Sequence, residues 1–346
     1  MNKTEIRKDE HVRISLNKNI SSDHNFWDDV DLVHNALPEI NKNEIEYSTK
    51  LFGRKLGAPI IISGMTGGYE KAKKINENLA AAAEKFQLGM GVGSQRAAIE
   101  KPNLIDTYSV LKNYDIPLRF ANIGASQIVL WDYKETLENA KKMIEMINAH
   151  VFVVCLNFLQ EAVQFEGEAH AKGCLNVIDK LSKDLDVPLI VKESGAGISY
   201  NVAKRLSKTN IAGIDVGGAG GTSFAAIEHY RAKIVKDIIH EKGSKTFWNW
   251  GIPTPNSIIE VGDATDWKLP IIATGGIRNG LDAAKAVALG ASCAGVARAF
   301  LKPATIDKKT CISKVDLVIK ELRAAMFLVG ADKISKMTDI GVDVWI

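Results

Sequence analysis

Cysteine is scarce and scattered. Cys155, Cys174, Cys293 and Cys311 form no C-x-x-C pair, which argues against a disulfide framework or a zinc site and fits a reducing compartment. Long uncharged apolar runs are missing too. Nothing in the chain reaches the roughly 20 residues needed to cross a bilayer, and the opening "MNKTEIRKDEHVRISLNKN" has no apolar core of a signal peptide. Charge of one sign is not in excess: 44 basic against 41 acidic residues leave +3, so no global field favours nucleic acid or a membrane surface. Any selectivity for anions must therefore be local. The expectation from these absences is a cytoplasmic globular protein with no nucleic-acid and no membrane partner.

What is present is a recurring two-part unit. From residue 58 onward an apolar strand is followed by an amphipathic or alanine-rich helix. The strands are "APIIISGM", "GMGVGS", "LRFANIG", "VFVVCLN", "PLIVKES", "AGIDVGG", "PIIATGG" and "CAGVARAF". Helical patterns cover 70–86, 103–112, 134–148, 174–183, 199–208, 223–240, 279–288 and 313–330. Near-continuous apolar strands alternating with helices indicate a parallel sheet covered on both sides. Eight such units in 346 residues favour one closed (β/α)8 TIM barrel, an α/β fold, over an open sheet. Residues 1–57 are an extension ahead of the barrel, which occupies 58–346. Residues 240–256, "HEKGSKTFWNWGIPTPN", read as a long loop inside the sixth unit.

In such a barrel, chemistry gathers where the strands end. Those ends read Ser63-Gly64-Met65-Thr66, Ser94-Gln95-Arg96, Asn122, Asn157 with Gln160 and Glu161, Lys192-Glu193, Gly217 to Thr222, Gly275-Gly276-Ile277-Arg278, and Ala297-Arg298. A strand ending in glycine is commonly only a turn, but nearly every strand here delivers a small or polar group to one face. "GGAGGTS", "TGGIRNG" and "GVARAF" follow the last three strands. Glycines admit close backbone approach, and helix N-termini favour a dianion, so these ends suggest a phosphate site with Arg278 as candidate charged partner. Lys192 ends strand five after "PLIV"; it is a Schiff-base nucleophile, a cationic donor, or a rim lysine snorkelling to water. No histidine ends a core strand, so histidine general-base chemistry is not favoured. "RKDEH", with Arg7, Lys8 and His11, is either a solvated mixed-charge segment or a cover for a diphosphate.

Taken in order, "RKDEH", "SGMTGG", "GVGSQRAA", "ANIGA", "LNFLQEAVQFEG", "VKESGAGIS", "GAGGTS" and "TGGIRNGLDAAKA" resemble the type 2, FMN-dependent isopentenyl diphosphate isomerases over essentially the whole chain. The resemblance implies FMN contacts at Ser63, Gly64, Met65, Thr66, Ser94, Asn122, Lys192, Gly217 and Thr222, with the FMN phosphate on Gly275, Gly276, Arg278, Ala297 and Arg298. It implies an isoprenoid diphosphate held by Arg7, Lys8, His11, Ser94, Gln95, Arg96, Asn157 and Gln160, with Glu161 as the Mg2+ ligand. Gln160 and Lys192 would be catalytic, Glu166 and Glu168 peripheral. NADPH would reduce the flavin, and the chain would assemble as a tetramer or octamer. The sequence departs from the family pattern at Cys155, usually histidine, at Phe158, usually proline, and at Gly217, usually serine.

Two rivals share the phosphate loops. An FMN oxidoreductase of the hydroxy-acid oxidase or nucleotide dehydrogenase type needs a histidine base or a nucleophilic cysteine, and "GGAGGTSFAA" carries neither. A flavin-binding module without catalysis has little use for "LQEAVQFEGE" or the N-terminal "RK".

Overall fold

A computed structural model describes residues 3–345. Eight parallel strands close into a barrel in chain order: β1 Ile60–Ile62, β2 Gly89–Gly91, β3 Leu118–Gly124, β4 Val151–Cys155, β5 Leu189–Lys192, β6 Gly213–Asp215, β7 Ile271–Thr274 and β8 Cys293–Val296. All eight expected strands are there. Closure comes from β8 lying beside β1, with Ala294 opposite Ile60 and Val296 opposite Ile62. The strands are buried on both faces, as in Ile60–Ile62 and Ile271–Thr274, because helices cover the outside and side chains fill the inside.

The barrel interior is packed only at its N-terminal end. There Ile61, Leu118, Phe120, Val151, Val153, Ile190 and Ile272 meet Leu51 and Leu56. The last two belong to an antiparallel hairpin, Thr49–Leu51 with Arg54–Leu56. Its two-residue turn, Phe52 and Gly53, has φ of 48° and 76°, the left-handed pair whose twist matches that of hairpin strands. Part of the extension thus plugs the floor, and the C-terminal end is left open for a site.

Two helical expectations and one loop expectation differ in detail. Segment 103–112 is three short turns rather than one helix. Segment 223–240 breaks into helices Phe224–Val235 and Ile238–Thr246, because Lys236 takes the left-handed conformation (φ 61°) and the Asp237 side chain caps the second helix. Residues 240–256 are not one long loop: they hold most of that second helix and the start of another, Thr254–Thr265, with Pro255 in its first turn, where proline has no amide to lose. No helix among the described residues is long and apolar enough to cross a membrane.

The extension begins with helix α1, Lys3–Asn17. It lies across the open end of the barrel, and a strap of chain at 18–29 follows it. Asn25 and Trp27 donate side-chain hydrogen bonds to the carbonyls of Gly276 and Gly275, at 2.9 and 2.8 Å. Farther on, Val30–Leu32 pairs with Val342–Val344, tying both ends of the chain together.

Candidate active site

A cavity of about 820 Å³ opens at the C-terminal ends of the strands, near the top of the ~300–1,000 Å³ range of ligand pockets. It is lined by residues from all parts of the expected site, Gln95 and Gly217 excepted. Gln95 is fully buried below it: its amide nitrogen donates to the Met143 carbonyl at 2.9 Å, and its oxygen accepts from the Asn122 backbone at 3.0 Å. It braces strand ends and does not face a ligand. Gly217 sits at φ 48°, and a Cβ there would lie 1.9 Å from the Glu193 carbonyl oxygen. This backbone leaves no room for a serine side chain at Gly217.

At one end lie the glycine turns after β7 and the N-terminus of helix Arg298–Ile306. Gly275 and Gly276 adopt φ of 118° and 72°, so only glycine keeps the turn unstrained. The two arginines here differ. Arg278 is committed to carboxylates: it donates to both oxygens of Asp28, the longer bond being 3.0 Å, and to Asp282 at 2.9 Å. Arg298 has no carboxylate partner among the described residues; it bonds the Ser21 hydroxyl at 2.6 Å and the Lys18 carbonyl at 3.3 Å. Burial pulls the Arg298 guanidinium down from its usual value, as for a cation awaiting a counter-charge. These donors and turns fit a phosphate. A buried hydroxyl oxygen of Thr66 without a partner among the described residues fits the polar edge of a flavin ring beside it.

At the other end, α1 presents Arg7, Lys8 and His11. Lys8 donates to the Ser94 carbonyl at 2.7 Å and the Tyr108 hydroxyl at 3.1 Å; burial, with the Arg7 charge beside it, pulls it down to about 7. His11 bonds Glu228 at 2.9 Å, and burial pushes its imidazole down. So a histidine does reach the site, from a helix rather than a strand end. Glu228 in turn pairs with Arg231 at 2.7 Å, and Arg231 also binds Glu10 at 3.0 Å and Glu166. This buried network docks α1 on helix Phe224–Val235.

Between the two ends stands the segment after β4. A short helix, Phe158–Val163, starts directly after Asn157, so Asn157, Gln160 and Glu161 fall on one side by their i, i+3, i+4 spacing. The Asn157 amide donates to one Glu161 oxygen at 2.9 Å, and the Glu168 backbone N–H donates to the other at 2.9 Å. Gly167 makes that return possible: a Cβ there would lie 1.9 Å from the Glu161 carbonyl. Glu168, placed at the periphery by sequence, lines the cavity and holds Arg96. Among the described residues no three His, Cys, Asp or Glu side chains cluster for a metal. One or two carboxylates suffice for Mg2+, which keeps water and phosphate oxygens as its remaining ligands, and each Glu161 oxygen retains a free lone pair.

Lys192 projects from β5 and donates to Asp215 of β6 at 2.8 Å. Its neighbour Glu193 turns away from that pair, and one of its oxygens accepts from the backbone of Ser194, Gly195 and Ala196 at 2.5–2.7 Å. Burial pushes Glu193 up to about 7, and the loop it holds carries Ser194 and Gly195 to the cavity wall. Cys155, opposite Lys192 in the β4–β5 register, lines the cavity as a neutral thiol, since burial raises it to about 12. Sequence reasoning missed Asp215, Glu228, Arg231 and the strap residue Ser21. Only Asp215, an acid at the end of the apolar run "AGID", gave a signal.

The model of the FMN-dependent dehydrogenase family matches residues 157–343. Solved structures with the same fold include a lactate oxidase from Pediococcus acidilactici, at TM-score 0.67 and 17% identity over 92% of this chain and 85% of that one. A mandelate oxidase superposes at TM-score 0.63 and 15% identity, covering 98% and 90%. Sequence relatives are much nearer. The isopentenyl-diphosphate delta-isomerase of Thermoplasma acidophilum is 47% identical over 94% of this chain and 92% of its own. That of Methanosarcina mazei is 43% identical over 97% and 91%. The chain belongs to the isopentenyl-diphosphate delta-isomerase family.

Proposed function

We propose that this protein interconverts isopentenyl and dimethylallyl diphosphate by adding one proton and removing another, with reduced FMN and one Mg2+ in the cavity. The observation that carries the reading is that one cavity is lined both by the turns after β7 and β8 with Arg298 and by Arg7, Lys8 and Arg96, with Gln160 and Glu161 on the same wall. Arg7, Lys8 and Arg96 would hold the diphosphate, with His11, Ser94 and Asn157 beside it, and Glu161 would hold the metal that bridges to it. Gln160, buried and bonded to Gln164 at 3.2 Å, would orient the isoprenoid chain by its amide. The flavin phosphate would take the β7 and β8 turns with Arg298 and Arg278, and the ring would reach Ser63, Gly64, Met65, Thr66, Asn122, Lys192 and Thr222.

The chemical obstacle is protonating an unactivated alkene, which creates tertiary-cation character. When bound, the reduced flavin supplies an electron-rich face for that charge and a site for the moving proton. The chain's own part is to exclude water, hold the diphosphate so that the attached isoprenoid carbons are placed in the cavity, and keep the Lys192 ammonium facing the flavin. NADPH would serve as reductant, and the protein would work in the cytoplasm as a tetramer or octamer. Proton NMR in D2O under anaerobic conditions, with isopentenyl diphosphate, FMN, Mg2+ and NADPH, tests the reading. Deuterated dimethylallyl diphosphate is expected, and none without FMN or Mg2+; absence of product from flavin-loaded protein overturns it.

Lys8 adds a pH signature. Held at about 7 in the free protein, it is largely neutral above that pH, and a bound diphosphate favours its charged form. Binding at pH 8 should therefore draw in about one proton and at pH 6 almost none, so affinity falls as pH rises past 7. Calorimetry in buffers of different ionisation enthalpy measures the uptake. The Lys8→Met protein, given the same ligand, isolates the diphosphate's own proton release and should lose the difference.

A further inference from the structure

The Lys192–Asp215 pair is buried in the barrel interior, its side chains 12% and 7% exposed. One Asp215 oxygen accepts from Lys192; the other, Oδ1, is buried and has no hydrogen-bond partner among the described residues. Asn122 is in the same position: its Nδ2 donates to the Val92 carbonyl at 3.2 Å, and its Oδ1 has no partner among them. Both residues, with Lys192, line a second void of about 30 Å³ inside the barrel, whose wall includes Ile61, Val153, Ile190 and Ile272 and also Ser63. Two buried acceptors cannot satisfy each other, and each left alone costs about 1–3 kcal/mol. A water molecule donates to both and needs a void of only ~10–15 Å³ by this measure. Glu193 cannot substitute as the partner of Lys192, because its carboxylate accepts the backbone of Ser194 to Ala196.

We propose that Asp215 is a positioning residue of the flavin site, fixing the Lys192 ammonium toward the cavity and, with Asn122, anchoring an internal water in the void behind it. The proposal rests on the reading that the cavity takes FMN. A carboxylate at 2.8 Å restricts the rotamers of a long, flexible cation and holds its head in one place. The field that Lys192 puts on a bound flavin then depends on Asp215, although Asp215 itself need not touch the flavin.

A double-substitution cycle on the FMN-loaded protein tests this. The readout is the ratio of affinities for reduced and oxidised FMN, obtained from the midpoint potential of the bound flavin; a merely structural residue would not move it. Asp215→Asn is expected to change that ratio about tenfold, within the 5–150-fold range typical of coupled sites. In a Lys192→Met background the same substitution should leave it within about twofold, because the partner through which it acts is gone. An unchanged ratio in the first case, or an equal change in both, overturns the proposal while leaving the flavin reading intact. Native protein that fails to quench the fluorescence of added FMN overturns both. Should Asp215→Asn not fold, Asp215→Glu keeps the charge but moves the ammonium by a methylene, and a native ratio there overturns the positioning role. High-resolution crystallography should place one water bonded to Asp215 and Asn122; a dry void overturns that half.

Discussion

Replacing Glu161 by glutamine should lower Mg2+-dependent kcat/KM by a factor of about a thousand, or about 4 kcal/mol of transition-state stabilisation, while FMN still binds. Two effects act together. The first is lost charge, because Mg2+ prefers a hard anionic oxygen to an amide oxygen. The second is a hydrogen-bond mismatch. Asn157 donates to one Glu161 oxygen and the Glu168 N–H donates to the other, each at 2.9 Å. A carboxylate accepts both; a glutamine presents one oxygen and one NH2 group, so one donor always faces a donor. The segment from Asn157 to Glu168 would shift, and Glu168 would lose its register with Arg96. FMN binding should be spared, because the turns after β7 and β8 proposed to hold its phosphate lie on different elements. Turnover by NMR with flavin binding by fluorescence quenching separates the two, and the native protein without Mg2+ should match the variant. A fully active Glu161→Gln protein would remove Glu161 from the metal site.

The barrel was legible in the sequence because its strands are short apolar runs closed by glycine or a polar residue, and every one formed. The strand ends were legible for the same reason, and they place Ser94, Asn122, Gln160, Glu161 and Lys192 on the cavity wall. Two of those ends misled. Gln95 follows Ser94 directly, and spacing alone does not tell the residue that faces the cavity from the one turned into the wall against Met143. At Gly217 the resemblance implied an FMN contact, whereas Gly217 is not on the cavity wall and its close approach to the Glu193 carbonyl exists only in three dimensions. The extension was the least legible part. Its helix is amphipathic only weakly, and its residues meet partners more than 200 positions away, as His11 meets Glu228 and Asn25 meets Gly276. No local pattern encodes such pairings. The break at Lys236 and the helix opening at Thr254 are intermediate cases: the capping Asp237 lay within a stretch that read as one helix, and Pro255 within a stretch that read as loop.

The largest effect on stability should come from Arg231→Met. Arg231 is 3% exposed and bonds three carboxylates, those of Glu10, Glu228 and Glu166, with its guanidinium 4.8 Å from the Phe165 ring. Burial acts to raise Glu228, but its bond to His11 and the Arg231 charge outweigh that and hold it below the usual carboxylate range. Its contribution is therefore full above about pH 4.5 and lost as pH falls below that. Methionine fills much of the volume but leaves Glu228 buried with only His11, a weak cation here because burial holds its imidazole down. Removing one member of a buried ion network typically costs about 3–5 kcal/mol, which for a chain of this size lowers Tm by roughly 5–10 °C. Lysine should rescue little, since one ammonium cannot span three carboxylates in the guanidinium's planar geometry. Glu228→Gln combined with Arg231→Met should recover part of the loss, because it removes the stranded charge. The network joins α1 to the barrel, so the first consequence is release of α1: limited proteolysis should cut within 3–17 before the barrel melts. Diphosphate binding should weaken in step, with FMN binding unchanged. If Arg231→Met melts as the native protein does and keeps α1 protected, the network is not what docks this helix.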